Sequence, residues 1–92
     1  MSEHKTEQVI FRGRVQGVGF RYTVQSIAKR HPVKGYVKNL PDRTVELVMQ
    51  GHPSTLNALL MEVTHHFQAN IADCERREME TEEVFTHFET RY

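Results

Sequence analysis

The sequence predicts an α+β domain of the ferredoxin-like, split βαβ kind (βαββαβ), with two helices on one face of an antiparallel sheet. Three observations predict it. Apolar residues recur at helical spacing in two stretches, β-prone runs flank each stretch, and the order is strand, helix, strand, strand, helix, strand or hairpin. The 92 residues read as one domain, 1–92, with no repeat, low-complexity stretch or long linker. A chain of this size buries about 60 to 68% of its unfolded surface, enough for one core without disulfide or metal staples.

The elements follow in order. Gln8 to Val15 is β-prone and reads as the first strand, interrupted by Gln16-Gly17-Val18-Gly19. Phe20, Val24, Ile27 and Ala28 then share one helical face, and the pattern stops at His31-Pro32, since proline disfavours helix in the residue before it. Val33–Asn39 and Thr44–Gln50 are two short strands joined by a turn at Leu40-Pro41-Asp42-Arg43. In the second, Val45, Leu47 and Met49 alternate with Glu46, Val48 and Gln50. Leu56, Leu59, Leu60, Val63 and Phe67 define the second helix, with Pro53 in its first turn and Ser54 or His52 as cap. Met49, Met61 and Leu56 are assigned to core faces. Ile71–Met79 is a weaker strand, and alternation at Val84, Thr86, Phe88, Thr90 and Tyr92 predicts the last one.

Charge restricts the function. Twelve Lys+Arg balance twelve Asp+Glu, which excludes a broad field for nucleic acid but leaves room for a local anion site. Residues 1–43 hold nine cations and three anions, residues 44–92 three and nine, so the halves carry +6 and −6. The single Cys74 can form no internal disulfide. With no signal-like or membrane-spanning run, a cytoplasmic monomer is expected. His65 and His66 are adjacent, diverge by about 100° on a helix and cannot share a metal. No cofactor is expected.

The chemistry concentrates in Gly13-Arg14-Val15-Gln16-Gly17-Val18-Gly19-Phe20-Arg21. Its glycine spacing is neither the dinucleotide fingerprint nor the phosphate loop ending in Gly-Lys-Ser/Thr. A glycine-bearing turn entering a helix can nonetheless aim successive N–H groups inward, where the helix N-terminus adds about half a positive charge. Arg21 can set a planar guanidinium against two oxygens of an anion. An ordinary connection with a surface arginine fits the same residues. Asn39, at the end of Lys34-Gly35-Tyr36-Val37-Lys38-Asn39, offers an amide with donor and acceptor ends, and equally suits the start of the turn at Pro41.

The segments from Gly13 to Tyr22 and from Gly35 to Asn39, with Val45-Glu46 following, resemble the signature motifs of acylphosphatases. The resemblance extends over most of the chain, to the terminal Phe88-Glu89-Thr90-Arg91-Tyr92. It implies a small, metal-free hydrolase that cleaves the carboxyl–phosphate bond of acyl phosphates, with inorganic phosphate as product and inhibitor. It also implies that Arg21 binds phosphate, that the N–H groups of Gln16, Gly17, Val18, Gly19, Phe20 and Arg21 form the cradle, and that Asn39 positions water. Arg91 and the Tyr92 carboxylate are implied to lie near the loop and help hold the arginine. The family usually has glycine where this chain has Arg43, which costs about 1 kcal/mol if the turn needs a positive φ. Residues 73–83 match the family poorly. The competing classes are a non-catalytic anion-sensing domain and an RNA-binding module of the same topology, the latter opposed by the missing aromatic-rich strand motif.

Overall fold

The computed structural model describes residues 4–92. The strands are β1 (Lys5–Gly13), β2 (Lys34–Asn39), β3 (Val45–Gly51), β4 (Ile71–Glu78) and β5 (Phe88–Arg91), and the helices are α1 (Phe20–Ala28) and α2 (Pro53–His66). They form one sheet in the order β4-β1-β3-β2-β5. The antiparallel arrangement holds for the first four strands, whereas β5 joins β2 in parallel, Gly35 facing Phe88 and Lys38 facing Arg91. The sheet is therefore mixed and five-stranded. The connection over 79–87 carries the chain from the β4 edge to the opposite edge, and such a crossover permits a parallel neighbour.

Val9, Phe11, Val37, Val45, Leu47 and Met49 of the sheet are buried against Phe20, Val24, Ile27 and Ala28 of α1 and Leu56, Leu59 and Val63 of α2. Phe20 joins the layers: its ring centroid lies 5.1 Å from Phe11 and 4.5 Å from Phe67. Val48, out of phase with Leu47 and Met49, is also fully buried. Phe85 lies 6.1 Å from the Tyr36 ring and is buried in its turn. Met61 does not belong to the core; it is 70% exposed, because it falls about 140° round the helix from Leu56.

Two boundaries differ from the sequence reading, and one of its two cap alternatives for α2 is the one found. β1 begins at Lys5 and stops at Gly13, where the pairing with β4 shifts register, so Val15 is buried from a loop rather than from the strand. The last strand begins only at Phe88; Val84 and Thr86 precede it, and Val84 is 84% exposed. His52 caps α2, its Nδ1 accepting from Ser54 N at 3.3 Å.

The chain order brings four segments to one end of the sheet. They are the loop after β1 with the start of α1, the end of β2 with its hairpin, the start of β3, and the end of β5.

Candidate active site

The loop between β1 and α1 is shaped by Gly17 and Gly19, both left-handed at φ 77° and 76°. Gly19 is the N-cap of α1, and no side chain caps the helix. The first helical hydrogen bond runs from Thr23 N to Gly19 O at 3.0 Å, so the helix itself leaves the N–H groups of Gly19, Phe20, Arg21 and Tyr22 without an acceptor. Those donors and the helix dipole make the loop a receptor for an anion.

A cavity of about 210 Å³ opens at this point. Gly17, Gly19 and Arg21 of the loop meet Asn39 from β2, with Thr90 and Tyr92 from the C-terminal segment. Phe20 also borders it from beneath while its ring belongs to the core. Of the residues singled out in the sequence, Gly17, Gly19, Phe20, Arg21 and Asn39 line one cavity, and Gln16 and Val18 do not. Val18 is 41% exposed on the loop. Gln16 turns its side chain the other way: Nε2 donates to Leu40 O and to Thr44 O, both at 2.9 Å, stapling the loop to the hairpin that follows Asn39.

Asn39 is the unusual polar group. Its Oδ1 is buried and has no hydrogen-bond partner among the described residues. Such an atom costs about 1–3 kcal/mol unless something completes it, and here it belongs to a cavity-lining side chain.

Arg21 is oriented from behind. Its Nη1 donates to Arg91 O at 3.3 Å, and its guanidinium carbon lies 4.8 Å from the centroid of the Tyr92 ring. Arg91 is itself fixed. Its guanidinium pairs with Glu83 and, at 2.8 Å, with Glu89, and stacks 4.1 Å over the Tyr36 ring. Hydrogen bonds from Arg91 hold the Glu89 carboxyl below the ordinary carboxylate range. In the hairpin, Asp42 Oδ1 accepts from Thr44 Oγ1 at 2.6 Å and from Thr44 N at 3.1 Å, which likewise lowers its pKa. Arg43 adopts φ 73°, alone among the described non-glycine residues at positive φ.

Sequence reasoning missed Thr90, Tyr22 and Val15 as wall residues. Val15 and Tyr22 lie inside the Gly13–Tyr22 segment without a polar role of their own, and Thr90 is brought to the cavity by β5. Cys74 is exposed on β4, and His65 and His66 are exposed at the end of α2, all away from the cavity. Among the described residues no helix is long and apolar enough to cross a membrane.

Comparisons with known proteins bear on the family and the fold. The acylphosphatase family model matches residues 7–90. An acylphosphatase from Synechococcus sp. is 35% identical over 99% of this chain and 97% of its own. One from Thermococcus kodakarensis is 52% identical over 52% of this chain, a stretch that spans 53% of that protein's length. The crystal structure of acylphosphatase from Bacillus subtilis superposes with a TM-score of 0.84 at 30% identity, covering 98% of this chain and 100% of that one. By the family model and by a relative matched from end to end, the chain belongs to the acylphosphatase family.

Proposed function

We propose that the protein hydrolyses the carboxyl–phosphate bond of acyl phosphates, holding the phosphoryl group on the loop from Gln16 to Arg21 and positioning the attacking water with Asn39. The observation that carries this reading is the meeting, in one cavity, of Arg21 and an uncapped helix N-terminus with the unpartnered Oδ1 of Asn39. The first two suit a dianionic phosphoryl group. The third suits a water that must donate a proton as it attacks.

The chemistry asks little more. Water adds to phosphorus in line with the bridging oxygen, the P–O bond to the acyl group breaks, and its electron pair leaves on the carboxylate. The attacking water's proton passes to a phosphate oxygen, so an acyl phosphate dianion and water give one carboxylate and dihydrogen phosphate. The leaving group is already a stable anion at neutral pH, so no strong general acid is required. Fixed donors around the equatorial oxygens and a placed nucleophile supply the acceleration. Arg21 forms a forked contact with two phosphate oxygens. The Arg91 carbonyl and the Tyr92 ring hold its plane before substrate arrives.

The RNA-binding alternative finds little support on the sheet, because the Tyr36 ring lies under the Arg91 guanidinium and is not free to stack on a base. The anion-sensing alternative differs from the hydrolase only in turnover. Incubation with benzoyl phosphate separates them. The hydrolase reading expects release of phosphate, competitive inhibition by inorganic phosphate and insensitivity to chelators. Phosphate binding without turnover assigns a sensor instead.

A further inference from the structure

Another cavity lies at the end of the sheet opposite Arg21 and Asn39. It measures about 430 Å³, against about 210 Å³ for the one described above, and falls in the roughly 300–1,000 Å³ range of sites for small organic ligands. Lys34 starts β2 in this cavity and Asn39 ends it in the other, so the length of the strand sets them roughly 16 Å apart. Helix α1 likewise starts at Phe20 in the first and ends at Ala28 in the second. Among the described residues none lines both.

The charge on this wall has one sign. His4, Lys29, His31, Lys34 and His87 line it, and among the described residues no Asp or Glu does. Lys29 and Lys34 are exposed and form no ion pair among the described residues, whereas Lys5 pairs with Glu78. The carboxylates that reach the histidines are shared with arginines. Glu62 accepts from Arg30 Nη2 at 2.9 Å and lies 2.6 Å from His31 Nε2, while Glu89 accepts from Arg91 Nε at 2.8 Å and lies 3.2 Å from His87 Nε2. The end of α1, whose free carbonyls would repel an anion, is largely closed. Gln25 O, Ile27 O and Ala28 O accept from Lys29 N, Arg30 N and His31 N, each at 3.0 Å.

The floor is apolar: Ala28, Val33 and Phe88 border the cavity from the buried core. We propose that this cavity is a second ligand site, which takes an organic phosphate monoester with an aryl or alkyl body. The dianionic head matches a wall of lysine and histidine donors, and the body covers the apolar floor, which inorganic phosphate would leave wet. The site is separate from acyl phosphate hydrolysis, so its loss leaves the hydrolase reading intact.

The test titrates phenyl phosphate into the isotope-labelled native protein and follows backbone amide shifts. Lys29–Lys34 and Thr86–Phe88 report this cavity, and Gly17–Arg21 report the catalytic one. A saturating response with its own dissociation constant is expected at the first two segments, weakened at 1 M salt. One unit-charge contact at about 4 Å in water changes an equilibrium about fivefold, so the double variant Lys29→Gln, Lys34→Gln should raise that constant at least about tenfold. Its kcat on benzoyl phosphate and the response at Gly17–Arg21 should not change. Phenol, the same body without the charge, should give no saturating response. Shifts confined to Gly17–Arg21, an equal response to phenol, or a constant unchanged in the double variant overturns the proposal.

Discussion

Gln16 Nε2 donates to the carbonyl of Thr44 at 2.9 Å and, at the same distance, to that of Leu40. One amide therefore fixes the spacing between the phosphate loop and the hairpin that begins beside Asn39. In the proposed reaction the loop holds phosphorus and Asn39 holds water, so this spacing sets the attack distance. Gln16→Met preserves length but removes both bonds between loop and hairpin, while Thr44 O keeps its bond from Leu40 N and Leu40 O its bond from Arg43 N. It should lower stability by about 1–3 kcal/mol and reduce kcat about tenfold, with a smaller change in inhibition by inorganic phosphate. Thermal melts and steady-state kinetics on the folded variant check this; an unchanged kcat would leave the staple a purely structural contact.

The Tyr92 ring, rather than its hydroxyl, faces the Arg21 guanidinium. Tyr92→Phe should behave as the native protein. Tyr92→Ala should raise KM and the phosphate inhibition constant by about two- to fivefold, the size of an exposed cation–π contact. Titration with inorganic phosphate distinguishes the two variants.

Gly35 tests the sheet that carries Asn39. Its φ is +138°, and an added Cβ would lie 1.9 Å from the carbonyl oxygen of Val48, a backbone atom that cannot swing aside. Gly35→Ala should cost about 3 kcal/mol through displacement of β2 from β3. Denaturant unfolding measures it, and a loss below about 1 kcal/mol would contradict the close approach.

Alkaline pH probes the reverse face. Burial, reinforced by Glu46, pushes the Tyr36 phenol up to about 12 from 10.0. The folded state therefore holds this proton more tightly than the unfolded chain. Its contribution to stability is complete below pH 10 and is lost as pH rises towards 12. Tyr36→Phe has no such proton, so its stability should fall less steeply across that window. Parallel slopes for the two proteins would remove Tyr36 as the cause.

The sequence made some parts of this structure legible and hid others, for physical reasons. Helical periodicity located α1 and α2 because each buries one face, and alternation located β3 through Val45, Leu47 and Met49, although Val48 is buried on its other face. β5 was misjudged in length. Val84, Thr86 and Phe88 alternate as a strand would, yet pairing with β2 begins only at the register of Phe88 with Gly35. Nothing local in a sequence announces a parallel neighbour supplied by a distant segment. The positive φ at Arg43 was legible only through the resemblance to a family that has glycine at that position, and the structure has it. The candidate site was legible through its glycines and Arg21. The Gln16 staple was not, because a glutamine beside glycines carries no spacing rule. Thr90 reaches the cavity only through the late return of β5 beside β2.

The central claim is a division of labour between Arg21, which holds phosphate, and Asn39, which places water. Its most direct test is the pairing of turnover with inorganic-phosphate affinity in Arg21→Ala and Asn39→Ala. The account predicts that Arg21→Ala loses both, with affinity reduced at least tenfold, since a charge-assisted contact is worth roughly 1.5–3 kcal/mol. Asn39→Ala should keep phosphate affinity within about threefold while kcat falls by roughly 100-fold or more. Retained turnover in either folded variant, or equal loss of phosphate affinity in both, would contradict it.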